Sequence, residues 1–107
     1  MILDKIKITK ERIWLNNKHN VIKEFSINGQ LLSDPTRIKI LLLLKKQGIL
    51  CVTDIADIIG ISISAVSHQL SKLESMNFVK SEKMGKTVCY SPDKKITNVL
   101  KIANLKI

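Results

Sequence analysis

TDIADIIGISISAVSHQLSKLESM, residues 53–76, is the stretch whose reading decides the fold. Thr53 can cap a helix from Asp54 to Ile59, with Asp54 and Asp57 at its positive end and Gly60 as a left-handed stop. Only Ile61 and Ser62 separate it from a second helix, which Ser62 can cap and which runs to about Met76, with Asn77 as its stop. Two helices joined by a short turn around a glycine form a helix-turn-helix. In the second helix Ile63, Val66, Leu70 and Leu73 follow a 3-4-3 spacing that assigns them to one buried side.

Upstream, Ser33-Asp34-Pro35-Thr36-Arg37 is a helix start: Asp34 can cap free amides, and Pro35 takes the first helical position, where its missing N–H costs nothing. The helix to about Lys46 carries Ile38, Ile40 and Leu41 to Leu44, apolar almost all round, so it should be central and buried. Gln47 and Gly48 end it, and Ile49-Leu50-Cys51-Val52 is a short β-prone run. Downstream, Phe78 to Lys83 and Lys86 to Ser91 form two strands around a Met84-Gly85 turn, and Pro92 blocks further pairing.

A last helix from about Asp93 to Leu105 has Ile96, Val99, Leu100 and Ala103 on one face. Val21, Ile22, Phe25, Leu31 and Leu32 fit one face of an earlier helix, while residues 1–20 suit a strand or a short amphipathic helix equally. The order predicts a mostly α chain with a small β-hairpin wing, a single winged helix-turn-helix domain over residues 1–107. Its parts are an N-terminal extension (1–20), the helix-turn-helix (53–76), the wing (78–91) and a C-terminal helix (93–105).

Composition bounds the function. The chain of 107 residues and 12.1 kDa is about one domain, and with Ile and Leu supplying 30 residues against four aromatics its core must be aliphatic. A net charge of +9 and a pI near 9.8 favour polyanions, nucleic acid before anionic membrane. The charge divides into +6 for residues 1–53 and +3 for residues 54–107, so it is not concentrated around the second helix. The longest uncharged stretch, Ile58 to Ser71, is too short and polar to span a bilayer, and Asp4, Lys5 and Lys7 interrupt any signal-like start. A cytoplasmic location without membrane attachment is therefore expected. No Ser-His-Asp set, glycine-rich phosphate loop or paired carboxylate stands out, so neither an enzyme nor a cofactor is expected.

The side of the second helix opposite its apolar stripe is Ser64, Ala65, His68, Lys72 and Ser75, flanked by Ser67 and Gln69. Small hydroxyls allow close approach to base edges, Gln69 could pair bidentately with adenine, and Lys72 could reach a phosphate. The candidate DNA-binding set is Ser62, Ser64, Ala65, Ser67, His68, Gln69 and Lys72, joined by Lys83 and Lys86, which bracket the wing tip and would grip backbone phosphate. The bland alternatives are a solvated helix face and edge lysines that deter strand aggregation.

The motifs Asp34-Pro35-Thr36-Arg37-Ile38, Leu50-Cys51-Val52-Thr53-Asp54-Ile55-Ala56, Ser64-Ala65-Val66-Ser67-His68-Gln69-Leu70 and Gly85-Lys86 with Tyr90 occur in an order that resembles the ArsR/SmtB family of repressors. The resemblance covers about Phe25 to Leu100. It implies a homodimer formed through the first and last helices, binding a palindromic operator with one recognition helix per half-site and releasing it when an inducer binds. Ser64, Ser67, His68 and Gln69 are the DNA-reading positions it carries over.

The inducer sites depart from the family. Arsenic- and cadmium-responsive members carry Cys-Val-Cys-Asp where this chain has Cys51-Val52-Thr53-Asp54, and cadmium sensors add N-terminal cysteines that are absent here. Zinc-responsive members place histidines on the last helix where this chain has Lys95 and Lys106, and ammonium groups repel a divalent cation. No metal site is expected, and no inducer is named by the sequence. In a winged helix the strand before the helix-turn-helix pairs with the second hairpin strand, so Cys51 and Cys89 could face each other as a thiol switch, through a disulfide or a shared soft ion. The alternative is that both are small buried apolar residues. The expected function is a sequence-specific, double-stranded-DNA-binding transcriptional repressor. A thiol-based redox or soft-metal sensor and a winged-helix protein-interaction module are the alternatives.

Overall fold

The computed structural model describes residues 3–18 and 34–96. The helix expected around Val21 to Leu32, and the last helix beyond its first turn at 94–96, lie outside them. The elements are α1 (Lys5–Asn17), α2 (Pro35–Gln47), β1 (Leu50–Cys51), α3 (Val52–Ile59), α4 (Ile63–Ser75), β2 (Val79–Met84) and β3 (Thr87–Pro92).

α2 forms as its caps predict. Asp34 accepts the Thr36 N–H at 2.9 Å, and Gly48, at φ 86, closes the far end by donating to the Leu44 carbonyl. Ile38 and Ile40 to Leu44 are all at most 2% exposed, so α2 is the axis of the core. Leu15, Leu50, Ile55, Val66, Leu70 and Leu73 pack into the same cluster from the surrounding elements. Removing these aliphatic side chains from water is the main stabilising term, about 1.5–3 kcal/mol for each fully buried Leu or Ile.

The ambiguous N-terminal segment is a helix, with Asp4 accepting the Lys7 N–H at its start. Its burial follows its hydropathy only at Leu15: Glu11 is buried too, whereas Ile6 and Ile13 are 70% and 55% exposed. Glu11 tolerates burial because Lys46 of α2 contacts both its carboxylate oxygens, at 3.0 and 3.1 Å, while the same ammonium sits 4.4 Å from the centre of the Trp14 ring. Lys46→Ala should therefore lower stability by about 2 kcal/mol, less than for a fully enclosed pair because Lys46 is 32% exposed. Urea unfolding of the two proteins measures it. Arg12 ties α1 to the end of α3 by donating to the carbonyls of Asp57 and Ile58.

The sheet has the order β1-β3-β2, antiparallel throughout. The hairpin register pairs Met84 with Thr87, so its loop is Gly85-Lys86, one residue later than the Met84-Gly85 turn expected. Gly85 supplies the positive φ of 65°. The ladder ends where Pro92 pairs with Val79.

Candidate nucleic-acid interface

α3 and α4 form the helix-turn-helix, joined through Gly60 at φ 82. α3 does not begin as expected. Its N-cap is Cys51 and its first residue Val52, so Thr53 lies inside the helix with its Oγ1 buried and without a hydrogen-bond partner among the described residues. Asp54, 1% exposed, uses Oδ1 to accept the Leu3 N–H at 2.9 Å, holding the start of the chain against the helix-turn-helix.

α4 is capped as predicted, with Ser62 Oγ accepting the Ala65 N–H at 3.1 Å. Val66, Leu70 and Leu73 are fully buried. Ile63 corrects the apolar stripe: it is 53% exposed, because the first helical turn projects beyond the core. Ser64, Ala65, His68, Lys72 and Ser75 are exposed and Ser67 is half-buried, so this side of α4 is open. Lys80, Lys83 and Lys86 are exposed on the wing.

The wing is fixed to α4 through its base. Asn77, at φ 64, reverses the chain, and Glu74 then accepts both the Ser81 N–H at 3.1 Å and the Ser81 hydroxyl at 2.6 Å. A groove of about 300 Å³ is lined by Ile63 and Ser67 of α4 together with Lys86 and Val88 of the wing. Tyr90, also lining it, is held above the ordinary phenol pKa by burial and then by the Glu74 carboxylate, so it stays neutral across physiological pH.

Gln69 stands apart from the other candidates. Its amide is half-buried and turned to the start of α2, donating to Asp34 Oδ2 at 2.6 Å and accepting from Arg37 Nε at 2.8 Å. Sequence periodicity alone carried no sign of this link, since its partners lie more than thirty positions away.

The two cysteines are register partners on β1 and β3 and are joined as a disulfide. Both are fully buried, and the Thr87 hydroxyl lies 3.9 Å from each sulfur. The bond connects the cap of α3 to the inner strand of the wing. Among the described residues no group of three or more His, Cys, Asp or Glu is placed to hold a metal ion, and no helix is long and apolar enough to cross a membrane.

A helix-turn-helix with an open second helix, braced beside a lysine-bearing hairpin, defines a winged helix-turn-helix protein. Residues 34–81 match the family described as "Bacterial regulatory protein, arsR family". A CadC homolog from Staphylococcus aureus, a cadmium resistance transcriptional regulatory protein, is 40% identical over 90 residues, covering 84% of this chain and 71% of that protein. The chain belongs to the ArsR family. A transcriptional repressor, an SmtB homolog from Synechocystis sp., is 45% identical over 60 residues, 56% of this chain and 45% of that one. The structure of wild-type ZitR from Lactococcus lactis in complex with DNA is similar at a TM-score of 0.57 and 32% identity, covering 64% of this chain and 49% of the other. The match thus spans only about half the length of the last two.

Proposed function

We propose that this chain is a transcriptional repressor that binds a palindromic operator in double-stranded DNA as a homodimer. The observation that carries the reading is the open, acid-free face of α4 from Ser64 to Lys72 beside the wing, with Ser67 and Lys86 lining one groove. Such a surface suits a helix entering the major groove with a flanking hairpin on the backbone. Ser64, Ala65, Ser67 and His68 would meet base edges, and Lys72, Lys80, Lys83 and Lys86 would meet phosphates; Ser62 contributes chiefly by presenting the helix, since its hydroxyl is spent on the cap. Titration of duplex DNA from upstream of the encoding gene tests this. Ser67→Ala and His68→Ala should weaken specific binding about 5- to 100-fold with little effect on a scrambled duplex. Lys86→Ala should weaken both alike. Unchanged base preference in both α4 variants would remove α4 from the recognition role.

Dimerisation is supported by α1, where Ile6 and Ile13, seven positions apart on one face, are both exposed and would be covered by a second copy. The family's last-helix zinc site is absent in this reading: Lys95 is exposed where the family has a ligand, and a lysine ammonium donates rather than coordinates. A second reading, redox control, is favoured by the Cys51–Cys89 pairing. It fits better than soft-metal sensing, because an oxidised pair has no thiolate to offer an ion. Equal operator affinity in oxidised and reduced protein would dismiss it.

A further inference from the structure

The polar flank of α4 has one member that is not presented to a ligand. Gln69 lies between exposed His68 and buried Leu70, and both ends of its amide are matched: the NH2 group to the Asp34 carboxylate, the carbonyl to the Arg37 guanidinium. The same Asp34 carboxylate caps α2 with its other oxygen, through the Thr36 N–H. Only one orientation of the amide satisfies both neighbours, since turning it over would set oxygen against carboxylate and NH2 against guanidinium. Rotating the side chain out to a base would strip a carboxylate and a guanidinium of a partner in a half-buried site, which opposes that motion.

We infer that Gln69 is a positioning residue: it fixes the rotation of α4 against the α2 cap through Asp34 and Arg37, and does not itself read bases. The inference rests on the reading of α4 as the DNA-contacting helix. A helix held to the core by its apolar side alone can rock about its axis. A polar link on its flank sets the angle at which Ser64, Ser67 and His68 face outward. The link also runs to Asp34, so whatever moves the start of α2 turns the recognition face.

Selection from a random duplex pool, followed by titration of the enriched duplex, tests the assignment with no operator sequence chosen in advance. Gln69→Glu sets a carboxylate against Asp34 and should lower affinity about tenfold or more, with the same preferred bases in the surviving selection. Asp34→Asn combined with Gln69→Glu reverses the pair. The new side-chain amide at position 34 would donate to the new carboxylate, that carboxylate would still accept from Arg37, and Asn is as good a helix cap as Asp. The double variant should return to within about threefold of the wild-type affinity, with the wild-type preference, because only a few tenths of a kcal/mol separates the two caps.

A changed preferred base that persists in the double variant would overturn the inference and make Gln69 a base reader. A double variant that melts with the wild type yet binds as weakly as Gln69→Glu would overturn it too, as would a single variant of undiminished affinity. Failure of the underlying reading shows earlier: the wild-type chain itself would then enrich no sequence from the pool.

Discussion

Operator DNA held at 50 mM salt should be released almost completely at 200 mM, with affinity falling about 10⁴-fold. Lys72, Lys80, Lys83 and Lys86 are all exposed on α4 and the wing. On the proposed reading, four phosphate contacts per subunit, doubled in a homodimer, would release about eight condensed counterions and give a log-log slope of roughly −7. Alanine at any one of the four should flatten the slope by about 2, since each substitution occurs twice in the dimer. Fluorescence anisotropy across a salt series measures it. A flat dependence would instead fit a winged helix that binds protein. The larger share of the net charge, +6, belongs to residues 1–53, which hold none of these four lysines. It should raise the association rate by long-range attraction without adding to the slope.

What was legible in the sequence was local. Asp34, Ser62, Asn77 and Gly85 act within a few residues of their own position, through a cap hydrogen bond or a positive φ, and each appears where the residue type predicts. The open face of α4 also followed from spacing alone. What was not legible depended on distant partners. Thr53 is a good cap by type, but strand β1 carries the chain into α3 one residue pair earlier, and the cap falls to Cys51. Ile63 continues the apolar spacing, yet the core ends before the first turn of α4. In α1 the buried carboxylate of Glu11 is compensated by Lys46, thirty-five positions away, while two isoleucines face outward, so no periodicity rule could choose the face. Gln69 is the functional counterpart: its helical angle places it at the border of the polar face, and only the fold supplies Asp34 and Arg37.

Breaking the Cys51–Cys89 bond, by a reductant or by Cys51→Ser with Cys89→Ser, should cost about 4 kcal/mol, the loop-closure entropy of a 38-residue separation. For a domain of this size that corresponds to a melting temperature roughly 15–25 °C lower, a large share of the 5–15 kcal/mol typical of whole domains. Reduction adds two electrons and two protons and leaves two thiols, and both sulfurs are fully buried. A reductant therefore acts only when β1 opens from β3, and the change should be slow in the folded protein and fast near the melting temperature. β1 contributes only Leu50 and Cys51 to the ladder, so the covalent bond is what holds this short strand, and with it the cap of α3, to the inner strand of the wing. Without it β1 and the cap of α3 should open from β3 before the core around α2 does, while Glu74 still holds the base of the wing to α4. Amide exchange in the reduced protein should then rise first at residues 50–53 and 87–90. A melting temperature unmoved by reduction would mean that the burial of Leu50 and Tyr90 alone secures the junction, and would leave the chain without a redox lever on its DNA-binding face.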